Sequence, residues 1–270
     1  MKAHHLLGVL LLGFAVCASP QAQKPRKKRL LAIGASQGWQ HESISHAMAT
    51  LWKIGQESGA WETYIRTDTQ LITKKKLDGN AKNLDDFDAV YFYTTGELDM
   101  NDEQKAALMS LVRDEGKGFI GGHSAADTFY KWPEYGEMVG AYFDLHPWHQ
   151  KVRVKVEDRK FPATRHFPAV IEVTDEIYQF KDWSRDKVHV LMSIDPASVD
   201  LKTQMVHRTD KDFAVTWVKP YGKGRVFFNA LGHEEQVYDR PDIQKMFLEG
   251  IKWAMGMTPG DATPGVPATD

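Results

Sequence analysis

The chain has 270 residues, 42% apolar and 26% charged, with a formal charge of −2. That is enough for one large α/β domain or two small ones, and it excludes a disordered or fibrous protein. Setting aside Lys2, Lys24, Arg26, Lys27, Lys28 and Arg29 takes the charge to about −8; with no basic stripe in the body, nucleic acid is not an expected partner.

Residues 1–22 read as a signal peptide. Met1-Lys2 precedes an apolar run from Leu6 to Val16, and small residues follow at Ala18, Ser19 and Ala22. The run is too short to span a membrane, so no stable membrane span is expected. Export to the periplasm or the extracellular space is the expected localisation. Cys17 is the only cysteine, and bulky Val16 stands where an acylation motif needs a small residue. The mature chain then has no disulfide and no thiol nucleophile. Residues 23–257 form the expected domain, and the Pro/Gly/Thr/Ala-rich stretch 258–270 is expected to be a disordered tail.

Leu30-Leu31-Ala32-Ile33-Gly34 is a continuous apolar run, the pattern of a buried parallel strand. A polar loop with Trp39, Gln40, His41 and Glu42 follows. Ile44, Met48, Leu51 and Ile54 then recur at helical spacing, and Gly59 ends that helix. Trp61–Ile65 alternates as a second strand, residues 68–86 read as a polar surface connection, and Asp88–Thr94 is a third strand. Asn101 and Gln104 have the spacing of a capping box, and Gly116 is the expected C′ residue of that helix.

The stretch 116–127 is the centre of the reading. Phe119 and Ile120 form a short strand, Gly121-Gly122 follow, and His123-Ser124 stand on the turn, with Asp127 just beyond. Glycines there let the backbone turn sharply or approach a ligand closely. In α/β sheets, ligands bind where parallel strands end.

Residues 129–150, rich in aromatics and histidine, are irregular in pattern. Val152–Val156 alternates as a half-exposed strand, whereas Thr174–Tyr178 is expected in a loop or short helix. Val188–Ile194, Ala214–Val218 and Arg225–Asn229 are three further strands, with residues 219–224 connecting the last two. Pro241 opens the final helix. Repeated strand–helix alternation predicts a mostly parallel sheet with helices on both faces.

Gln40-His41-Glu42-Ser43-Ile44, Gly121–Asp127, His146-Pro147, Asp175-Glu176-Ile177-Tyr178, Gly222–Phe227 and Leu231-Gly232-His233, in that order over about residues 28–256, resemble the ThuA-like (trehalose-utilisation) family. The resemblance implies a flavodoxin-like fold of the class I glutamine amidotransferase-like superfamily, and a role in the catabolism of sugars, including 3-keto disaccharides. His123 stands where amidotransferases carry their cysteine nucleophile, so glutaminase chemistry by that route has no nucleophile. Ser124 in that place lacks the ordered base of a serine hydrolase.

His41, His123 and His233 each follow an apolar strand, so they are expected to meet at one edge of the sheet. His123 and His233, with Asp127 and Glu176, are the candidate catalytic residues, since imidazole transfers protons near neutral pH untuned. His41, His123, His146 and His233 are the candidate ligands of a divalent metal such as zinc. Trp39, Glu42, Ser124 and Trp148 are the candidate sugar-binding residues, indole faces suiting the apolar face of a pyranose. Trp132 and Trp183 also lie in polar loops, whereas Trp52, Trp217 and Trp253 have core contexts. No G-x-G-x-x-G follows the first strand, so a nicotinamide cofactor is not expected.

Two functions follow from this reading. One is an enzyme acting on a glycoside or keto-sugar by hydrolysis, elimination or isomerisation; the other is a non-catalytic sugar-binding protein or partner of a separate sugar dehydrogenase. The oligomeric state is not legible.

Overall fold

The computed structural model describes Met1 and residues 26–265; the expected signal peptide and residues 266–270 lie outside the described part. In chain order the elements are β1 (Lys28–Ser36), α1 (Ser43–Ser58), β2 (Trp61–Arg66), β3 (Ala89–Thr95), α2 (Asp102–Arg113), β4 (Gly118–Gly122), α3 (Pro133–Val139), β5 (Tyr142–Val156), β6 (Val170–Lys181), β7 (His189–Ile194), β8 (Ala214–Tyr221), β9 (Gly224–Asn229), α4 (Glu235–Asp239) and α5 (Pro241–Ala254). Local chemistry accounts for several boundaries. Asn101 and Gln104 close a reciprocal capping box at the start of α2, Pro241 occupies the first turn of α5, and Gly59, at φ +68°, ends α1.

The nine strands of the described residues form one sheet in the order β2-β1-β3-β4-β9-β8-β7-β5-β6. The first five strands in that order run parallel, with the 2-1-3-4-5 arrangement of doubly wound sheets. The remaining pairings are antiparallel. The sheet is therefore mixed, and the expectation of a mostly parallel one holds for half of it. The cause lies in the segment between β4 and β9, which builds its own meander before the chain returns to the parallel half.

Helices cover both faces of that half. Arg225 of β9 donates to the Trp253 carbonyl of α5 at 2.9 Å, and the ring of Phe227 lies against Gly250 of the same helix. The backbone of Gly224, facing the other way, closes on Val112 of α2. Strands covered on both sides need apolar residues throughout, which explains why Leu30 to Ile33 and Ala89 to Tyr93 are all fully buried.

Four further expectations are corrected. Residues 174–178 belong to β6; the polar Thr174-Asp175-Glu176 hides the strand pattern, and Asp175 and Glu176 are tolerated there because their side chains find tertiary partners. Residues 129–150 contain α3 and the first half of β5. Trp52 sits on the outer side of α1, 51% exposed. Residues 258–265 are tied down: the Thr258 carbonyl accepts from Arg225, the Gly260 carbonyl from Trp253 Nε1, and the Thr263 carbonyl lies 3.2 Å from His189 Nδ1.

The β5–β6 hairpin positions the site. β5 pairs with β7 only over Val154–Val156, leaving its first half paired with β6 but not with β7. Register shifts between Phe143 and Trp148 bend that half, as bulges do. The bent hairpin brings Glu176 and Tyr178 of β6 over the carboxyl ends of the parallel strands.

Candidate functional site

Three strand ends and one hairpin converge at the carboxyl edge. His41 follows β1, His123 follows β4, His233 follows β9, and Glu176 comes from β6. One donor atom from each of these four residues lies within 4.8 Å of all the others. The imidazole centroids of His41, His123 and His233 are 4.9–5.4 Å apart. Glu176 is the hub: its Oε2 lies 3.0 Å from His233 Nδ1 and 3.6 Å from His123 Nε2, and its Oε1 lies 3.4 Å from His146 Nδ1.

His123 is held in an unusual way. Its φ of +38° lies at the edge of the left-handed region, which costs a non-glycine residue energy and is found mostly at functional sites. Its ring is fully buried and packs, tilted by 34°, with its centroid 4.4 Å from that of Tyr178. Nδ1 lies 2.6 Å from the Ala230 carbonyl, which can only accept, so Nδ1 carries a proton and Nε2 is the nitrogen that faces Glu176. The adjacent glycines serve packing: a Cβ on Gly122 would run into the Tyr91 hydroxyl, and one on Gly121 would sit 2.6 Å from the Phe228 ring. The expectation that they let a ligand approach is corrected. The left-handed turn is made by the histidine itself.

The loop carrying His233 is fastened from below. The fully buried Asp175 carboxylate accepts from the backbone N–H groups of Gly232 at 2.6 Å and Glu234 at 3.0 Å. Tyr93 and Ser43 hydroxyls meet the Gly232 carbonyl at 2.9 and 3.0 Å. Such outer contacts fix the orientation of inner side chains.

Burial and neighbours set the charges. Burial, reinforced by the positive charges of His123 and His233, drives the His41 pKa down to about 3, so this ring is neutral at physiological pH. Burial alone would raise the Glu176 carboxyl; His123 and His233 outweigh it and hold it far below the usual range. Contact with Glu176 raises His233. Burial also raises Asp127, whose Oδ1 accepts from the Tyr130 hydroxyl at 2.5 Å.

Two cavities flank the group. One, about 260 Å³, is lined by Trp39, His41, Asp127, Phe143, His146, Glu176 and Tyr178. The other, about 400 Å³, is lined by Trp39, Glu42, His233, Glu234 and neighbouring polar residues, with His41 again in its wall. Trp39, 69% exposed, stands between them.

The remaining candidates separate clearly. Glu42 is exposed on the larger cavity. His146 touches Glu176 but lies outside the four-donor group. Ser124 is fully buried, lines neither cavity, and its hydroxyl has no hydrogen-bond partner; this corrects its sugar-binding assignment and leaves a serine nucleophile without a base. Trp148 is also corrected. It is 4% exposed, donates to the Asp200 carbonyl at 2.9 Å and packs edge-on against Phe213. Asp175, Tyr178, Phe143 and Tyr130 escaped the sequence reading as site residues; the Asp-Glu pair inside an otherwise apolar strand was the available signal for Asp175.

The fold has solved counterparts. A ThuA-like protein from Bacteroides uniformis superposes with a TM-score of 0.68 at 20% identity, covering 88% of this chain and 95% of its own. One from Parabacteroides merdae gives 0.69 at 16% identity, with 90% and 95% covered. A cytoplasmic protein from Salmonella typhimurium gives 0.53 at 10% identity, with 83% and 98% covered. At such identities these likenesses speak for the fold alone. No curated protein matches the chain. The family model described as ThuA, trehalose utilisation, matches residues 29–254, and with nearly all of the described chain inside that match, the protein belongs to the ThuA trehalose-utilisation family.

Proposed function

We propose that this protein processes a glycoside or keto-sugar in the cleft between Trp39 and the histidine–glutamate group, by hydrolysis, elimination or isomerisation. The observation that carries the reading is the make-up of the 260 Å³ cleft. Phe143 and Trp39 offer aromatic faces to the apolar side of a pyranose, backed by the buried Tyr178, while Asp127, His146 and Glu176 face its hydroxyls and reacting atoms. Its volume is below the ~300–1,000 Å³ of drug-sized sites and suits one sugar ring, with the larger cavity beyond Trp39 available to a second unit.

Asp127 is the proton-transfer residue in this reading. It opens on the cleft, Tyr130 orients it, and burial favours its protonated form, the condition for giving a proton to a leaving oxygen or holding one taken from carbon. Glu176 stays ionised among the histidines and provides fixed negative charge. The test is incubation of the purified protein with 3-keto-glycosides and the parent glycosides, with products read by mass spectrometry. Release of an aglycone, or an isomerised sugar, supports the reading, and Asp127→Asn should lose it. Saturable binding with no product would instead make this a binding partner for a separate dehydrogenase.

The sequence at 1–22 supports export as part of the same proposal. Protein recovered from the periplasm should begin between Ser19 and Lys24 by mass spectrometry. Recovery solely as the full-length chain in the cytoplasm would overturn it.

A further inference from the structure

We infer that His41, His123, His233 and Glu176 form a mononuclear site for a divalent first-row transition ion. Donor atoms held about 2.0–2.1 Å from one such ion stand roughly 3–4 Å from each other. Glu176 Oε2 lies 3.0 Å from His233 Nδ1 and 3.6 Å from His123 Nε2, and all four donors fall within 4.8 Å. Small side-chain adjustments close the set on a shared centre.

Hydrogen bonding points the same way. His123 Nε2 and His233 Nδ1 are both buried without a hydrogen-bond partner; His233 Nδ1 is close to Glu176 but out of line for a hydrogen bond. Buried polar atoms left unpaired cost free energy, and two facing the same carboxylate oxygen call for a common partner. A cation serves all of them, because it binds neutral imidazole lone pairs and a carboxylate together. His123 already shows the arrangement of a ligating histidine, with its other nitrogen bonded to a backbone carbonyl. The Tyr178 hydroxyl lies 3.4 Å from His41 Nε2, and Asp175 anchors the His233 loop.

The donor set limits the ion. Three imidazoles and one carboxylate suit zinc, manganese, iron, cobalt or nickel; magnesium and calcium prefer oxygen, and copper(I) prefers sulfur. Both cavities reach the group, through His41 and Glu176 on one side and His41 and His233 on the other. The ion therefore has an entry path and room for a further ligand. His146 stays outside, touching only the far oxygen of Glu176.

The inference concerns the site of the proposed sugar chemistry but does not depend on it: metal content reads the one and turnover the other. The purified protein would be stripped with a chelator and dialysed against Zn(II), Co(II) or Mn(II) in turn. Metal would be measured by mass spectrometry, and the cobalt form by visible absorption. About one equivalent per chain is expected, with a cobalt d–d band and a rise in Tm that chelator reverses. Glu176→Gln and His233→Ala should weaken binding about tenfold or more, while His146→Ala keeps it. Far-UV circular dichroism checks that each variant is folded. Loading below a tenth of an equivalent for all three ions overturns the inference, and so does loading that both ligand variants leave unchanged.

Discussion

Two buried histidine–carboxylate pairs in this protein have opposite designs. His189 meets Asp158 at 2.9 Å through Nε2 and faces the Thr263 carbonyl through Nδ1, so both ring nitrogens are satisfied. Asp158 in turn accepts from the backbone N–H groups of Lys160 and Phe161. His123 satisfies one nitrogen, leaves the other bare 3.6 Å from Glu176, and sits at φ +38° among two more imidazoles. A closed pair holds elements together: here β7, the loop at 158–161 and the chain end. An open, strained and crowded one spends stability, which folded proteins do mostly at functional sites. Proximity of a histidine to a carboxylate thus says little; the state of the remaining polar atoms separates support from site.

Matched isosteric substitutions probe that difference most strongly. Glu176→Gln should lower turnover by about a hundredfold or more, as removal of a charge at the reacting centre does, with a smaller effect on Tm than Asp158→Asn. Asp158→Asn should leave the activity of the folded protein unchanged. Equal losses of stability and activity in both variants would erase the distinction.

The tryptophans extend the comparison, and here the effect falls on folding. Trp148→Ala should cost about 3–5 kcal/mol, the usual loss for a buried aromatic, seen as a lower urea midpoint. The same truncation at Trp39 should leave the midpoint in place. A Trp148→Ala protein as stable as the wild type would show that its packing against Phe213 is dispensable.

For the His189–Asp158 pair the effect is smaller and has a pH signature. Asp158→Asn should cost about 1–3 kcal/mol. Hydrogen bonding to Asp158 raises His189, so its stabilisation is complete below the ordinary histidine value of about 6.5 and is lost as pH rises through the raised folded value. Burial works against Asp158, but its bonds to His189 and the backbone prevail and lower it. That contribution is complete above the ordinary carboxyl value of about 3.9 and is lost as pH falls through the folded one. Stability from the pair therefore peaks between those limits, and Asp158→Asn should flatten both flanks of a Tm-against-pH curve. Unaltered flanks would mean other groups set the pH dependence.

Trp39→Ala gives the smallest expected effect, a loss of sugar affinity of about 1 kcal/mol, or roughly fivefold, typical of one aromatic contact. Titration calorimetry with a ligand that is not turned over would measure it. Affinity unchanged by the substitution would remove Trp39 from the binding surface.

What the sequence determined by itself is what depends on neighbours along the chain. The Asn101–Gln104 capping box, the Gly59 and Gly116 stops, the apolar runs of β1 and β3 and the proline start of α5 all follow from local sterics and hydrogen bonding. The ordered motifs were specific enough for the family. Placing His41, His123 and His233 after strands also needed no structure, and parallel pairing then carries such positions to one edge. Tertiary structure decided the rest. Glu176 joins the histidines only because β5 is bulged and leaves β7, and no local pattern encodes that bend. β6 was hidden because Asp175, Glu176 and Gln179 interrupt its apolar alternation, and Asp175 and Gln179 meet their hydrogen-bond partners in the Gly232–Glu234 loop and around Met205–His207. Trp148 reads like Trp39, an indole in a polar stretch; that one is a plug and the other an open wall depends on Phe213 and Asp200, more than fifty residues away in sequence. Burial and bond satisfaction belong to the assembled chain, because each depends on partners that only the fold brings within reach.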